Sequence, residues 1–374
     1  LFNCFVMGTT PDSLDGIFDH LKQAALTMQQ GGGVGMDFST IRPKGAEVKG
    51  VGSDASGPLS FMDCWDSMCR TVHSAGARRG AMMGCLRIDH PDIEDFIDAK
   101  RDGARFRNFN LSVLVSDGFM QALDEDGEWP LIFGGETYRT VQAKALWQRL
   151  MQATYDVAEP GVIFVDRVNQ RNNLAYCETI SASNPCGEQM LPPYGACLLG
   201  SINLAALVDD PFTAGAAIND AALADLTTTS IRFLDNIIDI SRYPLAEQEA
   251  EAKAKRRIGL GITGLADALL LGPQRVAAAA QVGPHHLAAQ AEEAIVRRAG
   301  EVQHATGGRG LEGDAQVAVA EGNGTYWLTK TADASGTFEM RATTEPARTN
   351  NWGVAVFREP GVTTGGGGLG TLQS

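Results

Sequence analysis

The 374 residues are 44% hydrophobic and 20% charged, enough for one large core or two modest ones and too well mixed for wholesale disorder. A formal net charge of −14 excludes an extended nucleic-acid-binding surface, which needs clustered Lys and Arg, but leaves room for a local nucleotide site. No run of about 18 apolar residues occurs, so no membrane span is expected.

The predicted elements alternate between strand and helix. Asn3–Met7 is a short apolar run suited to a buried strand. Asp12 or Ser13 caps a helix whose apolar positions, Leu14, Ile17, Phe18, Leu21, Ala25 and Met28, recur at helical spacing. Gly31–Gly33 stops that helix, Val34–Phe38 is strand-like, and Arg42–Gly45 is a turn. Further along, Phe61–Val72 is helical, Asn108–Val115 an alternating strand, Leu146–Tyr155 a helix and Gly161–Val165 a buried strand. Asp225–Ile240 is a long amphipathic helix, and Ile258–Leu271 joins a Gly-broken strand to a helix. The pattern implies an α/β fold with a mainly parallel sheet or barrel. From residue 273 to 374 the chain turns rich in Ala, Gly and Thr; apart from an Ala-rich helix over 288–302, it is expected to form little core and to be disordered.

Seven cysteines without a regular framework fit a reducing cytosol, where thiols serve redox or catalytic ends more often than structural ones. The sharpest local feature is Asn184-Pro185-Cys186-Gly187-Glu188. In extended backbone its amide, thiol and carboxylate point to one side, although Pro185 argues for a strand end or loop. A buried structural Cys in a Pro-Gly turn is the more frequent reading of such a pentapeptide. Cys197 lies in a second strand-like run, and Cys4 in the first predicted strand, so a thiol pair near a third thiol is available for disulfide chemistry. A zinc site is disfavoured, since no Cys-x-x-Cys or His pair accompanies these positions. Gly31–Gly35 with Arg42 and Lys44 nearby offers amides and charge to a phosphate, but it matches neither phosphate fingerprint, and a helix stop with a turn is favoured.

Taken in order, Cys4, Gly31–Gly35, Arg42–Gly45, Ala55–Pro58, Asn184–Gln189, Cys197–Leu204, Arg256–Gly261 and Gly264–Asp267 resemble the segments of ribonucleotide reductases. Arg78–Gly84 and Asp89–Ile93 are most similar to the adenosylcobalamin-dependent (class II) branch. The resemblance implies a ten-stranded α/β barrel over residues 1–272, incomplete at both ends, with 273–374 a divergent tail. It implies reduction of ribonucleotides, diphosphates preferred, to deoxyribonucleotides for DNA synthesis. Cys186 would form a thiyl, Glu188 act as base, Asn184 bind the sugar, and Cys4 with Cys197 supply two electrons. Asn3, Gly33, Pro185 and Gly187 would line the substrate. Asp12, Ser13, Arg42 and Arg78 match the region that binds a regulatory deoxynucleotide.

Adenosylcobalamin, a thioredoxin-like or glutaredoxin-like reductant, a homodimer and a cytoplasmic location follow from the same likeness; nucleic acid, a membrane and a protein-held metal do not. No Pro-Thr-Gly-Thr-type phosphate loop and no Cys beyond 197 is present, so the chain alone is expected to be weakly stable or inactive. The rival readings are the large subunit of a two-subunit (class I) reductase, a non-catalytic nucleotide-binding fragment and, well behind, a cysteine hydrolase, which needs a His near Cys186.

Overall fold

The computed structural model describes residues 2–48, 52–72, 80–101, 103 and 105–272, together with backbone strands at 315–321, 324–332, 338–345 and 353–356. Two compact units are present, one of Phe2–Ala196 with Tyr243–Glu249, the other of Cys197–Arg242 with the chain from Ala250.

In chain order the first stretch comprises β1 (Cys4–Val6), α1 (Leu14–Gln29), β2 (Gly33–Asp37), β3 (Glu47–Val48), β4 (Ser53–Asp54), α2 (Pro58–Thr71), β5 (Met82–Arg87), α3 (Ile93–Asp98), β6 (Phe109–Val115), α4 (Asp117–Asp124), β7 (Glu128–Phe133), β8 (Glu136–Gln142), α5 (Ala143–Val157), β9 (Gly161–Phe164), α6 (Val165–Arg171), β10 (Ala182–Ser183) and β11 (Met190–Leu191). Five strands form a parallel sheet in the order β1-β2-β5-β6-β9, which is chain order.

Each predicted feature has a local cause. Ser13 caps α1 by accepting from the Gly16 amide at 3.1 Å. Gly31 adopts φ +94°, and the Gly31 and Gly32 amides donate back to the carbonyls of Met28 and Thr27. That is the Schellman pattern, which ends a helix and satisfies its last carbonyls. The helix predicted from Phe61 begins earlier, because Pro58 sits in its first turn, where a missing N–H costs nothing. Strand β5 was not legible in its basic, Gly-flanked surroundings, nor was the β7–β8 hairpin around Gly134-Gly135.

The sheet has two unlike faces. Val34 and Met36 of β2, Met82 and Leu86 of β5, and Phe109, Leu111, Val113 and Val115 of β6 pack with the helices into one hydrophobic core. Side chains alternate along a strand, so residues of the opposite parity face away from it. Those are Gly33, Gly35 and Asp37, then Met83, Cys85 and Arg87, then Asn110, Ser112 and Leu114.

In the second unit β12 (Leu198–Asn203) runs parallel to β15 (Ile258–Thr263), with Gly200 paired to Leu260. Two further strands, β13 (Val208–Asp209) and β14 (Ala217–Ile218), form a small antiparallel pair. Helix α7 (Asp220–Ile240) starts five residues before the predicted Asp225 because Asn219 caps it, accepting from the Ala222 amide. Helix α8 covers Ala246–Lys255 and α9 Leu265–Leu271. Strands β16 (Ala315–Glu321), β17 (Gly324–Ala332), β18 (Phe338–Glu345) and β19 (Gly353–Val356) are antiparallel, and β19 pairs with β15. The helix expected at 288–302 lies outside the described residues, as do Arg78 and the rest of 73–79.

Candidate active site

Ala182 and Ser183 pair antiparallel with Leu191 and Met190, so 182–191 is a hairpin with Asn184–Gln189 at its tip. The chain reverses there because the Gly187 amide donates to the Asn184 carbonyl at 3.0 Å, closing a four-residue turn. Asn, Pro and Gly occupy the first, second and fourth positions, as such turns favour. Gly187 takes φ +81°, a conformation open to glycine.

Asn184 is fully buried and ties the tip together. Its Oδ1 accepts from the Gln189 amide at 2.9 Å, and its Nδ2 donates to Glu188 Oε1 at 2.6 Å. The result holds the Asn184 amide and the Glu188 carboxylate together beside an exposed Cys186 thiol. The Asn184 and Glu188 side chains therefore meet through a reverse turn and not through extended backbone.

This turn packs on the sheet face opposite that core. A Cβ on Gly33 would come within 2.7 Å of Pro185 Cγ, and one on Gly35 would overlap the Ser183 carbonyl oxygen. The two glycines, spaced by two on β2, thus leave the room in which the hairpin lies. Cys4 is the register partner of Gly33, so its buried thiol emerges on the same face, one strand spacing (~4.8 Å) away. The Asn3 carbonyl accepts from the Gly33 amide at 2.7 Å, and Asn3 itself is exposed. With the Gly31, Gly32 and Gly33 amides all bonded to backbone carbonyls, the Gly-rich segment does not cradle phosphate.

Several groups on this face escaped the sequence reading. Asn110 Nδ2 donates to the Pro185 carbonyl at 2.6 Å. Asp37 accepts from the Ser39 amide at 2.9 Å, and burial pushes its carboxyl above the ordinary range despite that bond and the nearby Arg87. Burial likewise drives the Cys85 thiol far up, with Asp37 adding to it, so Cys85 stays protonated. The alternation of Asn108–Val115 was the signal that could have put Asn110 and Ser112 on one face.

Asp12, Ser13 and Arg42 come together at the start of α1. Arg42 donates from its backbone amide and Nε to the two Asp12 carboxylate oxygens at 3.0 and 2.9 Å, and from Nη2 to the Asp12 carbonyl at 3.1 Å. Arg42 thus holds Asp12 while Ser13 caps the helix, and the Arg42–Gly45 segment is a turn with Gly45 at φ +81°. Cys197 belongs to the second unit, where it is buried and its Sγ lies 3.6 Å from the Leu198 carbonyl. Within the first unit, Phe5 forms an antiparallel bridge with Ala196.

Residues 2–274 match the family model "Ribonucleotide reductase, barrel domain". The chain belongs to the ribonucleotide reductase family. A vitamin B12-dependent ribonucleoside-diphosphate reductase of Mycobacterium tuberculosis (strain ATCC 25618 / H37Rv) is 41% identical over 272 residues, which cover 72% of this chain and 38% of that protein. One of Thermoplasma acidophilum is 39% identical over 270 residues, 71% of this chain and 34% of that protein. The ribonucleoside-diphosphate reductase large subunit of monkeypox virus is 29% identical over 298 residues, 72% of this chain and 38% of its own length. The chain therefore spans less than two fifths of the length of these reductase relatives.

Proposed function

We propose that this reductase segment carries the thiol chemistry of a class II ribonucleotide reductase, forming 2′-deoxyribonucleotides from ribonucleoside diphosphates. One observation carries the reading: an exposed Cys186 on a turn that also fixes the Asn184 amide against the Glu188 carboxylate, on the sheet face where Cys4 emerges. The sheet's chain-order strands support the ten-stranded barrel, because a doubly wound sheet would reverse its order at a switch point. Residues 1–272 are the core of that barrel, and 273–374 a divergent tail.

Adenosylcobalamin, when bound, supplies a radical able to take the thiol hydrogen of Cys186. The residues fit such a partner: Cys186 is exposed, and beside it Gly187 presents no side chain, with a Cβ there finding nothing nearer than 3.7 Å. Those two residues would meet the cofactor.

The Cys186 sulfur radical removes the 3′ hydrogen of the ribose. Glu188 takes the 3′-hydroxyl proton as general base, and Asn184 orients both. One thiol of Cys4 and Cys197 protonates the 2′-hydroxyl, which leaves as water. The pair gives up two electrons and closes to a disulfide, and Cys186 returns its hydrogen to C3′. A thioredoxin-like or glutaredoxin-like protein then reopens the disulfide. Asn3, Gly33, Pro185 and Gly187 line the substrate. Asp12, Ser13, Arg42 and Arg78 serve a regulatory deoxynucleotide in a cytoplasmic homodimer.

The full-length protein with adenosylcobalamin and a ribonucleoside diphosphate, but no external reductant, is expected to turn over once. One deoxynucleotide forms and two thiols vanish, mapped to Cys4 and Cys197, while Cys186→Ser forms none. Product without loss of those thiols would overturn the couple; no product at all would leave a non-catalytic nucleotide-binding segment. The likeness to the monkeypox virus large subunit favours a second reading, a two-subunit enzyme, which product formation without adenosylcobalamin would establish. The 374-residue chain alone is expected to be inactive.

A further inference from the structure

Gly35, Met83 and Asn110 are register partners on three adjacent strands, β2, β5 and β6. Partnered residues of a parallel sheet project to the same side, so these three form one row across the face beneath the Cys186 turn. Each meets a different part of it. Gly35 leaves room for the Ser183 carbonyl, Met83 Cε lies 3.7 Å from where a Gly187 Cβ would stand, and Asn110 Nδ2 donates to the Pro185 carbonyl at 2.6 Å.

The last contact differs in kind, because the Pro185 carbonyl belongs to the peptide bond that enters Cys186. A planar peptide has no rotation of its own, so pinning its oxygen fixes where the Cys186 backbone begins. From the other side the turn is held by the Gly187 amide on the Asn184 carbonyl. Cys186 is thus clamped on both flanks, once by its own turn and once by a strand 75 residues away in sequence. Asn is depleted in strands, and Asn110 is exposed in a central one, where it adds nothing to the hydrophobic core.

We propose that Asn110 is a positioning residue for Cys186: by holding the Pro185 carbonyl it sets the orientation of the reactive thiol on the turn. The inference rests on the reading of Cys186 as the hydrogen-abstracting thiol. Its consequence is specific to the donor. Asn110→Ala removes the amide, and Asn110→Asp keeps the shape but turns an acceptor toward the carbonyl.

The experiment compares wild type, Asn110→Ala and Asn110→Asp in the full-length protein by amide hydrogen exchange at Gly187 and Gln189, by kcat and KM, and by thermal midpoint. Exchange at both amides is expected to rise about ten-fold in Asn110→Ala and further in Asn110→Asp. The kcat should fall by a similar factor with KM held, and the midpoint should barely move. Unchanged exchange and kcat in both variants would overturn the proposal. So would equal losses of midpoint and kcat, which would mark Asn110 as merely structural. If wild type makes no deoxynucleotide yet exchange responds as expected, the function reading fails while the clamp stands.

Discussion

Phe109 and Asn110 are adjacent on β6 and face opposite ways. Phe109 enters a packed face of Met, Phe, Leu and Val, edge-on to Phe38 and Phe106 with ring centroids 6.0 and 5.8 Å apart. Asn110 lies on the face that carries Gly33 and Gly35, and it meets the Cys186 turn at the Pro185 carbonyl. One face of the sheet is filled for stability, and the other is emptied to receive a loop. The difference teaches that two glycines on alternate positions of β2 specify the site as strongly as its polar groups do. Without them the hairpin would have nowhere to lie.

The largest effect should come from the packed face. Phe109→Ala is expected to cost about 3–5 kcal/mol by urea unfolding, through lost burial and an unfilled cavity. A cost near 1 kcal/mol would mean that this face is looser than its burial indicates. Next comes acid. His20 is on the buried side of α1 with Nδ1 at the Thr10 hydroxyl, and burial pushes its imidazole down to about 4. Its ordinary value is about 6.5, so in the unfolded chain it binds a proton first as pH falls. The stability it contributes is complete above about pH 6.5 and is lost as pH drops toward 4, by on the order of 3 kcal/mol. Unfolding midpoints at pH 7 and pH 4.5 should diverge in wild type and draw together in His20→Gln.

The emptied face should respond differently. Gly35→Ala forces a methyl into the Ser183 carbonyl, with an expected cost of about 1–3 kcal/mol. Its signature is disproportionate loss of protection at Gly187 and Gln189; uniform loss across the sheet would erase the distinction between the faces. The smallest effect is expected at the Asp12–Arg42 pair, with both side chains more than a quarter exposed. Asp12→Ala should change stability by under about 1 kcal/mol, and the drop should shrink in salt. Any larger effect on nucleotide response would separate regulation from folding there.

Legibility followed range. Ser13 as cap, Gly31 as helix stop and the Asn-Pro-x-Gly turn were readable because each depends on residues within about four positions. The Cys4 strand was readable from its apolar run. Strand β5 was not, because its Met-Met-Gly-Cys run follows a basic, Gly-bearing segment and shows no clear alternation of apolar with polar residues. The phosphate reading of Gly31–Gly35 gave way because those amides were already committed to a helix end and to Asn3.

By itself the sequence determined several of the strands and helices within the first 272 residues, the loop bearing Cys186, and the motifs that mark the family. The tertiary structure alone decided that Gly33 and Gly35 face the turn, that Asn110 reaches Pro185, and that Arg42 holds Asp12. Alternation fixes which residues share a face but not which face receives helices or which receives a loop. That choice depends on partners from 30 to about 150 residues apart, whose meeting is set by how the whole sheet packs and not by any local preference.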